Sequence, residues 1–242
     1  MFGKSEIEKA QEMKNRVKPG VTGAGEACET FSETRKAIDL LQHTNPKVRT
    51  CAAQTLYYVS NRSETSYKNV RGWEDQLIKH LDDGNEEVTR RILGALWSIG
   101  VQEPDRIRDY LPAFASKLEA PSEKVQYQAV LAMQVIAYTH PQYVEKHREK
   151  LGRIADRGNS ASAAAELAIE IINASTVKKC PKCGSLTFDS EEQYCSKSGK
   201  YSSGCGVAYE VIRTESTGGS SSSNTEIWSN DPASDTEIYR KE

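Results

Sequence analysis

No apolar run in the 242 residues approaches the roughly 18 uncharged residues that a membrane-spanning helix needs. Met1 to Ala10 carries Lys4, Glu6, Glu8 and Lys9 and lacks an apolar h-region, so no secretory signal is expected there. These two absences predict a chain without membrane contact that stays in the cytoplasm, where thiols remain reduced. Histidine is scarce: His43, His80, His140 and His147 are the only four. No His-Glu dipeptide, Ser/His/Asp grouping or nucleotide motif occurs. Gly20-Val21-Thr22-Gly23-Ala24-Gly25 lacks the Gly-Lys-Ser/Thr ending of a phosphate loop and a preceding strand, and reads as a hinge. No catalytic residues are therefore expected, and the chain reads as a non-enzyme.

A strong charge bias is also missing. The net charge of −2 divides along the chain. Residues 1–175 are neutral, with 24 basic and 24 acidic side chains; residues 176–214 carry 6 and 4; residues 215–242 carry 2 and 6. None of these parts has the strongly basic balance usual for a nucleic-acid-binding domain.

What the sequence does contain is repetition. Asn45-Pro46-Lys47-Val48-Arg49, Asn85-Glu86-Glu87-Val88-Thr89 and Ser122-Glu123-Lys124-Val125-Gln126 each open a segment with apolar residues at i, i+4, i+8 and i+11. These sets are Val48, Ala52, Leu56 and Val59; Val88, Ile92, Leu96 and Ile99; and Val125, Ala129, Met133 and Ile136. The spacing places each set on one helix face, and the period is 40 and then 37 residues. Asn45, Asn85 and Ser122 suit the N-cap position. Ahead of each lies a second amphipathic segment, marked by Ile38, Leu40 and Leu41; by Leu77, Ile78 and Leu81; and by Ile107, Leu111, Phe114 and Leu118. A degenerate fourth pair spans 143–156 and 162–173, with Ala165, Leu167, Ile169 and Ile172 as its apolar set. Residues 6–17 read as a short charged helix with Ile7, Ala10 and Val17 on a partial face, followed by a Pro/Gly-rich linker.

Over residues 32–175 this pattern resembles the HEAT and armadillo-like repeat family. The match is best at Asn45-Pro46-x-Val48-Arg49-x-x-Ala52-Ala53-x-x-Leu56. The resemblance implies an all-α, right-handed solenoid of helical pairs that presents an extended surface to partners. Thr89 and Gln126 stand where the first unit has Arg49, which puts a continuous polar ladder between units in doubt.

The strongest local motif is Lys179-Cys180-Pro181-Lys182-Cys183-Gly184, a two-cysteine knuckle. Four thiolates satisfy tetrahedral Zn²⁺, and Cys195 and Cys205 are available as the other two ligands. The flanking segments alternate like strands, with Leu186 and Phe188 on one side and Val207, Tyr209 and Val211 on the other. Residues 178–213 resemble the zinc-ribbon family, although Ser202 stands where the third cysteine usually does. One structural Zn²⁺ held by Cys180, Cys183, Cys195 and Cys205 is expected, closed to catalysis because no coordination position is open. Cys51 falls inside a repeat helix as packing. Residues 1–31 form the helix and linker, 32–175 the solenoid, 176–214 a small β zinc ribbon and 215–242 a disordered acidic tail. Within the tail Thr225-Glu226-Ile227-Trp228 and Thr236-Glu237-Ile238-Tyr239 repeat eleven residues apart.

Opposite the apolar faces fall Thr50, Gln54 and Tyr57; Arg90, Gly94 and Trp97; and Tyr127, Leu131 and Gln134. Tyr57, Arg90, Trp97, Tyr127 and Leu131 form a mixed aromatic stripe of the kind enriched at binding hot spots. The competing reading buries Trp97 and Leu131 between repeats. The function expected is a scaffold or adaptor that binds a protein partner through the solenoid. The alternative is a nucleic-acid-associated factor using the ribbon's Lys178, Lys179, Lys182, Lys197 and Lys200.

Overall fold

The computed structural model describes residues 4–17, 31–61, 67–174, 176–180, 186–187 and 210–214. It is a stack of helices followed by a small sheet. Five helices form the inner layer: α1 (Glu6–Val17), α3 (Pro46–Ser60), α6 (Glu86–Gln102), α9 (Glu123–Thr139) and α12 (Ser160–Asn173). Each packs along the next. The outer layer holds α2 (Phe31–Leu40), α4 (Tyr67–Val70), α5 (Glu74–Ile78), α7 (Pro104–Arg108), α8 (Leu111–Lys117), α10 (Pro141–Glu145) and α11 (Arg148–Ala155).

The long inner helices follow from their sequence signals. Asn45 Oδ1 accepts from Lys47 N, Asn85 Oδ1 from Glu87 N and Val88 N, and Ser122 Oγ from Val125 N, satisfying amides that the first helical turn leaves without partners. The twelve apolar residues of the three repeats are all buried, eleven of them in one core and Val48 in a small separate cluster with Ala10 and Cys51. Asn159 and Ser162 close a capping box on α12. The face of α12 differs from expectation. Ala161, Ala165, Ala168 and Ile172 are buried, at the i, i+4, i+7, i+11 spacing, while Leu167 and Ile169 are half-buried.

The units also differ from helical pairs. From α4 onward each has three helices, two short outer ones and one long inner one. Between α7 and α8 the break has a covalent cause: Pro112 lacks an N–H, and its ring excludes the carbonyl four residues back, so Ile107 and Leu111 sit on separate helices. Between α4 and α5 the chain turns at Gly72, whose φ of 95° disfavours any side chain.

The position held by Arg49, Thr89 and Gln126 does the same work in different chemistry. Arg49 Nη1 donates to the His43 and Thr44 carbonyls, Thr89 Oγ1 to those of Leu81 and Asp83, and Gln126 Nε2 to that of Ala120. In the last unit Ser162 Oγ donates to the Ile154 carbonyl. Two of these residues also tie neighbouring units: Arg49 makes a bidentate pair with Asp83, and Arg157 donates to Gln126. The ladder doubted from sequence is thus present in part.

Beyond α12 the chain enters an antiparallel sheet of order β2-β1-β3, with β1 Thr176–Lys179, β2 Leu186–Thr187 and β3 Glu210–Thr214. Val177 is fully buried in the helical core, Ile212 packs against that core, and β3 lies on α9. The sheet therefore sits on the array.

Candidate inner-face site

The stripe opposite the core runs along the inner helices, and the structure treats its members unequally. Tyr57 is only 9% exposed. Its ring packs on Gly94 of α6, where an added Cβ would come within 2.7 Å of the ring carbons. The Arg91 guanidinium lies 4.9 Å from the Tyr57 centroid and 5.8 Å from that of Tyr58. Tyr57 is thus chiefly a joint between α3 and α6. Trp97, Tyr127 and Leu131 are half-buried and pack against the main core with one side of their surface.

Glu87 organises the centre of the stripe. Its carboxylate accepts from Arg90 Nε and Nη2 at 2.9 and 2.8 Å, from Arg91 Nε at 2.8 Å and, across the repeat boundary, from Gln54 Nε2 at 3.1 Å. Burial pushes its pKa up, but the arginine hydrogen bonds outweigh it and bring the group down to about 2. The result is an anion fixed between two cations, with aromatic rings beneath one of them. Sequence reasoning singled out Arg90, placed Gln54 on the outward face without giving it a role, and missed Glu87 and Arg91. The signal available was the i, i+3, i+4 spacing of Glu87, Arg90 and Arg91.

Along α9 the stripe changes character. Tyr127 and Leu131 remain half-exposed, whereas Gln134 and Tyr138, on the same line, are 5% and 3% exposed. Gln134 Nε2 donates to the Ala164 carbonyl of α12 at 2.6 Å, and burial drives the Tyr138 hydroxyl well above its ordinary pKa. The N-terminal half of the α9 stripe is thus more open than its C-terminal half, where α12 meets Gln134.

The cysteine motif falls largely outside the described residues: Cys183, Cys195 and Cys205 lie there. Cys180 is fully buried directly after β1. Lys179 pairs with Leu186 across β1 and β2, which brackets residues 180–185, the stretch carrying Cys180 and Cys183.

No family model and no curated protein matches the chain. Solved structures do. A designed armadillo repeat protein in complex with the peptide (KR)4 aligns with a TM-score of 0.52 at 19% identity, over 69% of this chain and 85% of that one.

The chain has an armadillo-like helical repeat fold.

A computationally designed armadillo repeat protein for modular peptide recognition gives 0.51 at 19% identity, over 69% and 86% of the two chains. An engineered protein gives 0.57 at 21%, covering 70% of this chain and 44% of its own. Among the described residues no helix is long and apolar enough to cross a membrane.

Proposed function

We propose that the chain is a protein-interaction scaffold that holds an extended segment of a protein partner on the open half of the inner face, from Gln54 through Arg90 to Tyr127 and Leu131. The observation that carries this reading is the division of the α9 stripe, where Tyr127 and Leu131 are accessible and Gln134 and Tyr138 are covered. A partly exposed aromatic and a leucine beside a cluster of guanidinium groups offer an apolar anchor next to a polar one. That combination is typical of interface hot spots. Two of the similar designed proteins are described as peptide-bound or built for peptide recognition, which supports a peptide-like ligand. Tyr57 and Trp97 contribute ring edges and shape the floor. We further propose that residues 176–214 form a zinc ribbon in which Cys180, Cys183, Cys195 and Cys205 hold one structural Zn²⁺.

Selection of displayed peptides on the intact chain, followed by titration of a recovered peptide, tests the scaffold reading. Arg90→Ala and Tyr127→Ala are each expected to weaken binding about tenfold or more, that is by at least ~1.4 kcal/mol, with a stability loss within about 1–2 kcal/mol and the helical array still folded at the assay temperature. Full affinity in both variants would place the binding surface elsewhere.

A further inference from the structure

α1 occupies the place a preceding inner helix would take: it packs along α3 as α3 packs along α6. Its attachment is of a different kind. Ala10 and Met13 are buried and Ile7 is half-buried. Ala10 and Ile7 join Val48, Cys51 and Leu40 in a cluster separate from the main core, and among the described side chains of α1, those of residues 6–15, only Met13 reaches that core. The polar tie at its N-terminal end is Glu6 Oε2, 2.7 Å from His43 Nε2. The next boundary, α3 to α6, is sewn by Tyr57 on Gly94, Gln54 on Glu87 and the Arg49–Asp83 pair.

α1 also carries its own folding signals. Ser5 N donates to Glu8 Oε2 at 2.7 Å and Glu8 N to Ser5 Oγ at 3.3 Å, a reciprocal capping box, and Lys4 pairs with Glu12. A helix of 12 residues is marginal alone in water, but such signals reduce what docking must supply. The sequence between α1 and α2 holds Pro19, Gly20, Gly23 and Gly25 and no long apolar run. A contact with few buried apolar side chains, a local helix nucleus and a long connection together describe an element that opens at lower free energy than the array behind it.

We infer that the flank of α3 beneath α1 is a helix-accepting seat, and that α1 exchanges there with an amphipathic helix from a protein partner. The seat defines that helix. Ala10 lies against Val48 and Cys51, so a small side chain is required at the centre. Apolar side chains follow at the spacing of Ile7 and Met13, and a carboxylate one position before the first meets His43. This surface lies on the N-terminal flank of the array and is distinct from the inner-face stripe.

Cys51 reports on the seat. It is 8% exposed, and burial raises its thiol above the ordinary value despite the opposing charge of Lys14, so it reacts slowly while covered. The experiment is alkylation of the full chain with iodoacetamide, followed at Cys51 by mass spectrometry. Ala10→Glu, and separately Ile7→Asp with Met13→Asp, are expected to speed alkylation of Cys51 at least tenfold with the main helical melt retained. A synthetic peptide of residues 4–17, supplied up to about 1 mM, the scale of a short-tether effective concentration, is expected to restore protection saturably. The same peptide carrying Ala10→Glu is expected to fail. An unchanged rate in both variants would overturn the inference. So would acceleration that appears only in step with global unfolding in denaturant, or failure of the wild-type peptide to protect. Peptides selected on the inner face should still bind the Ala10→Glu protein, which separates failure here from failure of the scaffold reading.

Discussion

Asp83→Ala should cost far more than an ordinary surface substitution, because it breaks a joint between the first two units. Arg49 Nε donates to Asp83 Oδ2 at 2.7 Å and Nη2 to Oδ1 at 3.1 Å, while Oδ1 also accepts from Asn85 N at 2.8 Å. The Asp83 side chain is 7% exposed and that of Arg49 19%. Removing one member of a buried pair costs about 3–5 kcal/mol, since the other charge stays desolvated. Arg49 keeps its bonds to the His43 and Thr44 carbonyls, so the lower end, about 3 kcal/mol, is expected. For a domain of this size that is a fall of roughly 6–12 °C in melting temperature. Urea and thermal unfolding of the intact chain, followed by helical circular dichroism, measure it.

Two controls isolate the cause. Arg49→Met combined with Asp83→Leu should recover much of the loss, because an apolar pair of similar volume leaves no uncompensated charge. The pH dependence has a definite sign. Burial pushes the Asp83 carboxyl up, but the Arg49 bonds and the Asn85 amide hold it below its ordinary value overall. A depressed carboxylate stabilises fully above the unfolded pKa, near 4, and that contribution is lost as pH falls through the lower folded value. The gap between wild type and Asp83→Ala should therefore be constant near pH 7 and shrink below about pH 4. A cost under about 1 kcal/mol at pH 7, or a gap unchanged on acidification, would refute the reasoning.

Glu87→Gln should cost about 1–2 kcal/mol at neutral pH, a figure discounted because a third of the side chain meets solvent; its folded pKa near 2 puts the acid loss of this term between about pH 4 and pH 2, and acid titration of both proteins checks it. Tyr57→Ala should destabilise by about 3 kcal/mol, because it empties the contact on Gly94, whereas Tyr127→Ala should stay within about 1–2 kcal/mol; denaturant melts of the two decide which residue is joint and which is surface. Metal analysis should find one zinc ion per chain, and Cys195→Ser should release it; full occupancy in that variant would mean another residue supplies the third ligand.

The repeat period and the inner core were legible because each long helix buries one face and its Asn or Ser cap marks where it starts. What the sequence hid was chemistry that conserves a task without conserving a residue. Arg49, Thr89, Gln126 and Ser162 carry three different functional groups, yet each donates to carbonyls at or just beyond the end of the preceding outer helix. A guanidinium, a hydroxyl or an amide can meet that need, so comparing residue types along the ladder suggests a loss that the geometry does not show. Outer helices were misjudged for the opposite reason. Their apolar residues keep helical spacing across a break, and periodicity registers the spacing while missing the effect of Pro112 on the backbone.

The site was half legible, and the reason lies in what a helical wheel can know. It gives the angle of a side chain relative to its own core, which placed Tyr57, Trp97 and Leu131 on an outward line. It carries no information about the flanks. In this array α3, α6 and α9 each lie between two other inner helices, so a residue opposite the core is open only if the next helix leaves room. Gly94 leaves room for the Tyr57 ring and thereby draws it into the joint; no side chain there could do so without moving the ring. The same logic governs the two flanks of the stack. At one, Val177 enters the helical core and Ile212 packs against it, extending the core into the sheet. At the other, Ala10 closes over Val48 and Cys51 in a cluster of its own, and among the described side chains of residues 6–15 Met13 alone reaches the core. Since each buried apolar side chain contributes on the order of 1.5–3 kcal/mol, a flank held through so few of them is the one that local opening should reach first.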